Sequence, residues 1–184
     1  INKLSAKNLY EDAFIKKFSD IFKENKMESI SEGTFFSSIL FISALDETNK
    51  IETFLEKFEN AESPQMLGRY RAVLGQVRDQ NASKKIVEFM LDGRIRGADC
   101  PYILASMITN KYIGKKSWKV IKENFNDLLN VMPDWTASRI LDALPSIYDE
   151  EFAVDIKNFI KKNPLPSSEK LAAQKLERLE ANIE

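Results

Sequence analysis

The residues able to do chemistry in this chain are few, and the most telling feature is a residue type that is missing: the sequence contains no histidine. Without an imidazole base, neither a Ser-His-Asp nor a Cys-His arrangement can activate a nucleophile. Zinc centres are built mainly from His and Cys. Beside its carboxylates the chain offers one thiol, Cys100, so no conventional zinc site is expected in it. Asp99 and Pro101 flank that thiol and supply no positive charge to hold a thiolate, which predicts a buried structural cysteine. Carboxylate pairs such as Glu150 with Glu151 stand where a helix begins and complement its dipole. No Asp/Glu couple is spaced on facing turns, so an enzyme working through carboxylates alone, such as a helical-barrel glycosidase, is disfavoured. Lys111, Lys115, Lys116, Lys119 and Lys122 form a basic cluster that could steer acidic peptides or a partner. Its plainer reading is a solvated helix face, diluted by acids such as Glu123.

The elements carrying these residues read as helices. Six glycines, six prolines and an apolar rhythm of about 3.6 residues argue against strands, which would alternate. Tyr10, Phe14, Phe18 and Phe22 recur every fourth residue, with Lys16, Lys17 and Lys23 outside the stripe, which predicts a long amphipathic helix within residues 1–30. Thr34 to Leu45 is apolar nearly all round and is expected between two neighbours. Thr48 is placed to cap a helix carrying Ile51, Phe54, Leu55 and Phe58. Ser63 followed by Pro64 gives a cap and a first-turn proline for the helix of Leu67, Tyr70, Leu74 and Val77. Ile86, Val87, Met90 and Leu91 mark a further helix, ended by Asp92 and Gly93.

Asp99 before Pro101 is expected to cap the helix Tyr102 to Thr109, closed by Asn110 and Gly114. Trp118, Ile121, Phe125 and Leu128 then form one stripe, with Trp118 in the core. Pro133 and Asp134 break the chain, Ile140, Leu141 and Leu144 mark another helix, and Asp149 opens the helix of Phe152, Ile156, Phe159 and Ile160. The turn ending at Ser167 caps a last helix with Ala172, Leu176, Leu179 and Ile183 on its apolar face. Helix pairs thus restart near Thr34, Ser63, Asp99, Asp134 and Ser167, a period of roughly 30 to 37 residues. The predicted fold is all-α: a HEAT- or armadillo-like superhelix of antiparallel helix pairs, residues 31–184 stacking behind the first helix as one helical-repeat domain.

Length and charge bound the rest. The chain has 184 residues, enough for a core without disulfides or metal. A formal charge of -1 lacks the field of a nucleic-acid binder, and the most apolar run, Phe35 to Leu45, falls short of the roughly 20 residues that span a bilayer. One cysteine fits a reducing, cytoplasmic setting. The opening on Ile1, without a leader, reads as part of a longer chain.

An ordered series of short motifs adds a resemblance. The stretch from Ser63-Pro64 through Arg69-Tyr-Arg-Ala-Val-Leu-Gly to Asp79, then Ile95-Arg96-Gly97-Ala98-Asp99, Asn110-Lys-Tyr-Ile-Gly114-Lys-Lys-Ser-Trp118 and Lys122-Glu-Asn124-Phe125, is similar to the C-terminal domain of the M1 zinc aminopeptidases. The ending Gln174, Glu177 and Asn182-Ile183 resembles that domain's last helix. Ala98 stands where the family usually has Gln, and Phe125 where it usually has Trp. The resemblance implies a non-catalytic C-terminal domain in an enzyme whose upstream domain carries the zinc and the His-Glu-x-x-His motif, both absent here, with this part enclosing a peptide chamber. Its partners would be that upstream domain and a peptide substrate. Arg94 and Arg96, at a turn of the family-like segment, could fork a peptide carboxylate, or could serve a turn salt bridge to Asp92 or Asp99. Arg69 and Tyr102 are further candidates for substrate contact. The competing reading is a stand-alone helical-repeat adaptor that binds a partner peptide or helix.

Overall fold

The computed structural model describes residues 3–24, 33–165 and 168–181. Every regular element among them is helical: α1 (Lys3–Lys23), α2 (Gly33–Ala44), α3 (Ile51–Glu59), α4 (Pro64–Leu74), α5 (Ala82–Leu91), α6 (Cys100–Thr109), α7 (Gly114–Glu123), α8 (Phe125–Val131), α9 (Asp134–Ala137), a 3-10 segment (Ser138–Ser146), α10 (Glu150–Lys162) and α11 (Glu169–Ala181). The all-α expectation therefore holds. The chain divides into two compact units, Ile1–Ala82 and Ser83–Glu184.

In the first unit the end of α1 buries Phe22, whose ring stacks on Phe54 of α3 at 4.8 Å. Phe14, two turns earlier in the stripe, stays 53% exposed. Phe36 near the start of α2 meets Tyr70 of α4 edge-on at 6.3 Å, and the Ala44 carbonyl at the end of α2 accepts the Arg78 N–H at 2.8 Å. Both contacts join residues about 34 apart, so α2 and α4 run side by side in one direction, as the corresponding helices of successive hairpins do. Below them Asn49, 3% exposed, donates to Ser19 Oγ and to the Ser43 carbonyl, each at 2.8 Å. That satisfies a buried amide which would otherwise oppose folding.

The second unit repeats the register. Ser83 and Ser117 share a hydrogen bond of 2.7 Å across a sequence separation of 34. Lys122 binds Asp155 across 33, and Lys175 binds Asp142 across the same separation. Trp118, 1% exposed and in the core as expected, donates its indole N–H to Asp155 at 3.0 Å. Phe159 packs edge-on against both Trp118 and Phe125. An indole is buried economically only when its N–H is satisfied, and the α10 carboxylate does that from the rim.

Several local expectations are corrected. Thr48 caps nothing: its N–H and hydroxyl both donate to Asp46, while the Ile51 N–H that opens α3 is taken by Asp79, 28 residues on, at 3.0 Å. A cap drawn from elsewhere in the fold leaves no trace in local sequence. Asp99 precedes α6 but spends its carboxylate on Arg96 instead of on a helix N–H. The Trp118–Leu128 stripe is two helices, since Asn124 interrupts the ladder and donates its side-chain N–H to the Val120 carbonyl. The segment around Ile140, Leu141 and Leu144 is 3-10 rather than α, and Pro145 near its end removes a backbone donor. In α2, Phe41 remains 41% exposed, so the helix is covered on less than its whole circumference. Ser63 and Asp149 cap as expected, accepting the N–H groups of Met66 and Phe152. The expected roles of Ser167, Asn182 and Ile183, and of the Tyr10 side chain, lie outside the described residues.

One close approach lies between turns. A methyl group added at Gly97 would overlap the Val131 carbonyl oxygen, whereas Gly68, inside α4, faces open space. Gly97→Ala is expected to destabilise by about 1–3 kcal/mol through forced backbone displacement, and Gly68→Ala to stabilise by about 0.5–1 kcal/mol through helix propensity. Thermal melts of the two variants check the opposite signs. Asp46 gives a pH signature. Partial burial pushes its carboxyl up, but hydrogen bonds from Ser19 and Thr48 and the charge of Lys23 outweigh that and hold it at about 2, against 3.8 ordinarily. The lowered pKa contributes stability above pH 4 that is lost as pH falls through about 2. Asp46→Asn is expected to cost about 1–2 kcal/mol at pH 7 and little below pH 2, measured by denaturant titration at both.

Candidate functional site

Arg94, Arg96 and Tyr102 lie close together in sequence around the turn joining α5 to α6. Gly93, at a φ of 74°, ends α5 in the left-handed conformation that an L side chain rarely adopts, and the Arg94 and Ile95 N–H groups then both donate to the Phe89 carbonyl. The turn folds Arg94 back, and its guanidinium lies 3.5 Å from the centre of the Phe89 ring. Arg96 directs Nε and Nη2 at one oxygen of Asp99, each at 2.9 Å, so the turn salt bridge weighed from the sequence is present. The side chain nevertheless stays 69% exposed while Asp99 is buried. Tyr102, in the first turn of α6, is 49% exposed. The turn therefore offers guanidinium and phenol groups that a peptide could reach, without a strongly desolvated charge.

Arg69 stands in the other unit. On α4 its guanidinium covers the Phe36 ring at 5.1 Å, Nη1 reaches Met66 Sδ at 3.7 Å, and it packs where a side chain at Gly33 would collide with it. Those contacts pack part of the side chain against its neighbours, and they are visible in the sequence only as an arginine at helical spacing from a methionine.

The lysine cluster is divided between roles. Lys115 reaches Asp149 at 2.7 Å, and Lys122 reaches Asp155 within the Trp118 arrangement. Sequence reasoning passed over Trp135 and Tyr148, which are 75% and 73% exposed. Both follow a helix break, a context in which periodicity says nothing about burial.

Among the described residues no group of three or more His, Cys, Asp or Glu could hold a metal ion, and no helix is long and apolar enough to cross a membrane. Cys100 is fully buried, and burial together with the adjacent Asp99 charge pushes its thiol up to about 12. Its S–H points to the Ile95 and Arg96 carbonyls. It is a core residue with no nucleophilic character at neutral pH.

Parallel helices in a fixed repeat register within each unit, carrying exposed arginine and aromatic side chains, define a helical-repeat protein. The model of one family, the ERAP1-like C-terminal domain, matches residues 5–181, and the chain belongs to that family. The resemblance carried by the motifs around Arg69, Arg96, Tyr112 and Trp118 is thereby shown, and the chain is an aminopeptidase-type C-terminal domain.

The sealed thiol sets an expectation. Cys100 should fail to react with an aromatic disulfide reagent at pH 8 over an hour in the folded protein and react within seconds in denaturant, followed by absorbance of the released thiolate.

Proposed function

We propose that the chain is the non-catalytic C-terminal domain of a zinc-dependent M1 aminopeptidase of the cytoplasm, in which residues 1–184 act as one helical-repeat domain that helps enclose the peptide chamber. Zinc and its ligands belong to the upstream domain of the same chain. There the metal would polarise the scissile carbonyl and activate water. The observation that carries this reading is the family match over residues 5–181 in a chain that has no histidine. The contribution of this part is then to shape and gate the space into which a peptide extends.

Within that role Arg94, Arg96, Arg69 and Tyr102 are the proposed substrate contacts. Arg96 supports it best: its guanidinium is oriented by a buried carboxylate yet open to solvent, a preorganised donor for a peptide carboxylate or carbonyl. The single buried cysteine supports a reducing compartment.

The test is a comparison of the complete enzyme with a version ending before this chain. The complete enzyme should discriminate among peptides by length, while the truncated one keeps hydrolysis of a small aminoacyl-amide and loses that discrimination. In the complete enzyme Arg96→Ala should raise KM for longer peptides about threefold to tenfold and leave the aminoacyl-amide unchanged. Hydrolysis of any aminoacyl-amide by the isolated chain in the presence of zinc would contradict the assignment.

A further inference from the structure

A second feature of the Ser83–Glu184 unit has no part in that role. The turn between α6 and α7 is held rigidly by Asn110, which is 4% exposed and accepts the N–H groups of Tyr112 and Ile113 on Oδ1, at 2.9 and 3.4 Å. The Asn110 carbonyl accepts the Gly114 N–H at 2.7 Å, and the absence of a side chain at Gly114 lets α7 start against the Ile108 carbonyl. Lys111, Lys115 and Lys116 therefore leave a fixed backbone. They form one rim of an open cleft of about 480 Å³, whose other rim is made by Ile147, Tyr148 and Asp149. Lys115 and Asp149 bridge the rims at 2.7 Å, and Asp149 also caps α10 through the Phe152 N–H, so the two walls are tied together.

The charges do not balance. Three ammonium groups line the cleft against one carboxylate, and neither Lys111 nor Lys116 has an acidic partner among the described residues. Lys111 lies 4.7 Å from the Tyr112 ring. Beside these cations the Tyr148 ring, 73% exposed, offers an apolar surface. A bare inorganic anion would use the lysines and gain nothing from the ring. A long polyanion would run past the cleft into Glu150 and Glu151 in the first turn of α10. Carboxylates spaced along a short chain that also carries an apolar side chain use both halves of the site.

We propose that this cleft binds a short acidic peptide segment, its carboxylates on Lys111 and Lys116 and an apolar side chain on Tyr148. The inference holds whether or not the chain closes an aminopeptidase chamber. Ion pairs at an open rim are screened by salt, so the association weakens steeply as ionic strength rises.

The experiment is fluorescence anisotropy on the 184-residue chain with a short labelled peptide of glutamates and one phenylalanine. The same peptide with lysines for glutamates, and a single-stranded oligothymidine, serve as comparison probes. The glutamate peptide should bind saturably at low salt and the lysine peptide should not. Lys111→Glu with Lys116→Glu should weaken binding about tenfold or more and Tyr148→Ala about threefold, while Lys119→Glu, outside the cleft, changes it less than twofold. Melting curves confirm that each variant is folded. Should the double charge reversal fail to fold, Lys111→Gln with Lys116→Gln replaces it, with a loss of about fivefold expected. Affinity unchanged by the lysine substitutions, no saturable binding of the acidic peptide at low salt, or tighter binding of the oligothymidine would each overturn the proposal.

Discussion

The constraint on which the structure depends is a register. Helices whose residues are separated by about 34 positions lie beside one another, and side chains at that separation satisfy one another: Phe36 against Tyr70 in one unit, Ser83 with Ser117, Lys115 with Asp149 and Phe125 with Phe159 in the other. A single hairpin of two short helices exposes too much apolar surface to be stable alone. Within each unit the neighbour one period away covers it, so the period becomes an energetic requirement. The exposed ion pairs at the same separations contribute little individually. The buried contacts, such as Trp118 with its indole N–H on Asp155, are where a wrong register would leave a polar group unpaired.

Function follows from what such a scaffold can and cannot hold. Its interior is mostly aliphatic and aromatic, with buried polar groups such as Asn49 and Ser83 paired by hydrogen bonds, and its lone cysteine is sealed there with its thiol pushed up. Several turns carry exposed polar groups, and at Gly93, Gly97 and Gly114 the chain takes conformations or approaches closed to other residues. Arg94, Arg96 and Lys111 project from such turns, and Lys115 and Lys116 from the first turn of α7. A chain of this family can therefore present polar groups for recognition at its turns.

How much of this was legible in the sequence differs by level. The helices of Phe54 and Phe58, of Tyr70 and Leu74, and of Ile156 and Ile160 were readable, because a 3.6-residue apolar period has one simple physical solution. So were the caps at Ser63 and Asp149, which act within three residues. The interruption at Asn124 and the 3-10 course of Ser138–Ser146 were not, since the apolar spacing there suits either geometry and packing makes the choice. The Asp79 cap on Ile51 depends on an atom arriving from 28 residues along the chain, and the choice of Asp99 between a helix N–H and Arg96, three residues away, is set by the backbone course of the turn.

The sequence by itself determined the absence of imidazole chemistry, the helical class, the approximate period and the family likeness, because composition, periodicity and motif order are properties of the chain read in one dimension. Only the tertiary structure decided which arginine packs and which stays open, that Arg69 covers Phe36 while Arg96 is held outward by Asp99, and that three lysines share a rim with an exposed tyrosine. The Arg69 contact and the shared rim turn on distances between residues about a whole repeat apart. Such distances exist only once neighbouring helices have stacked.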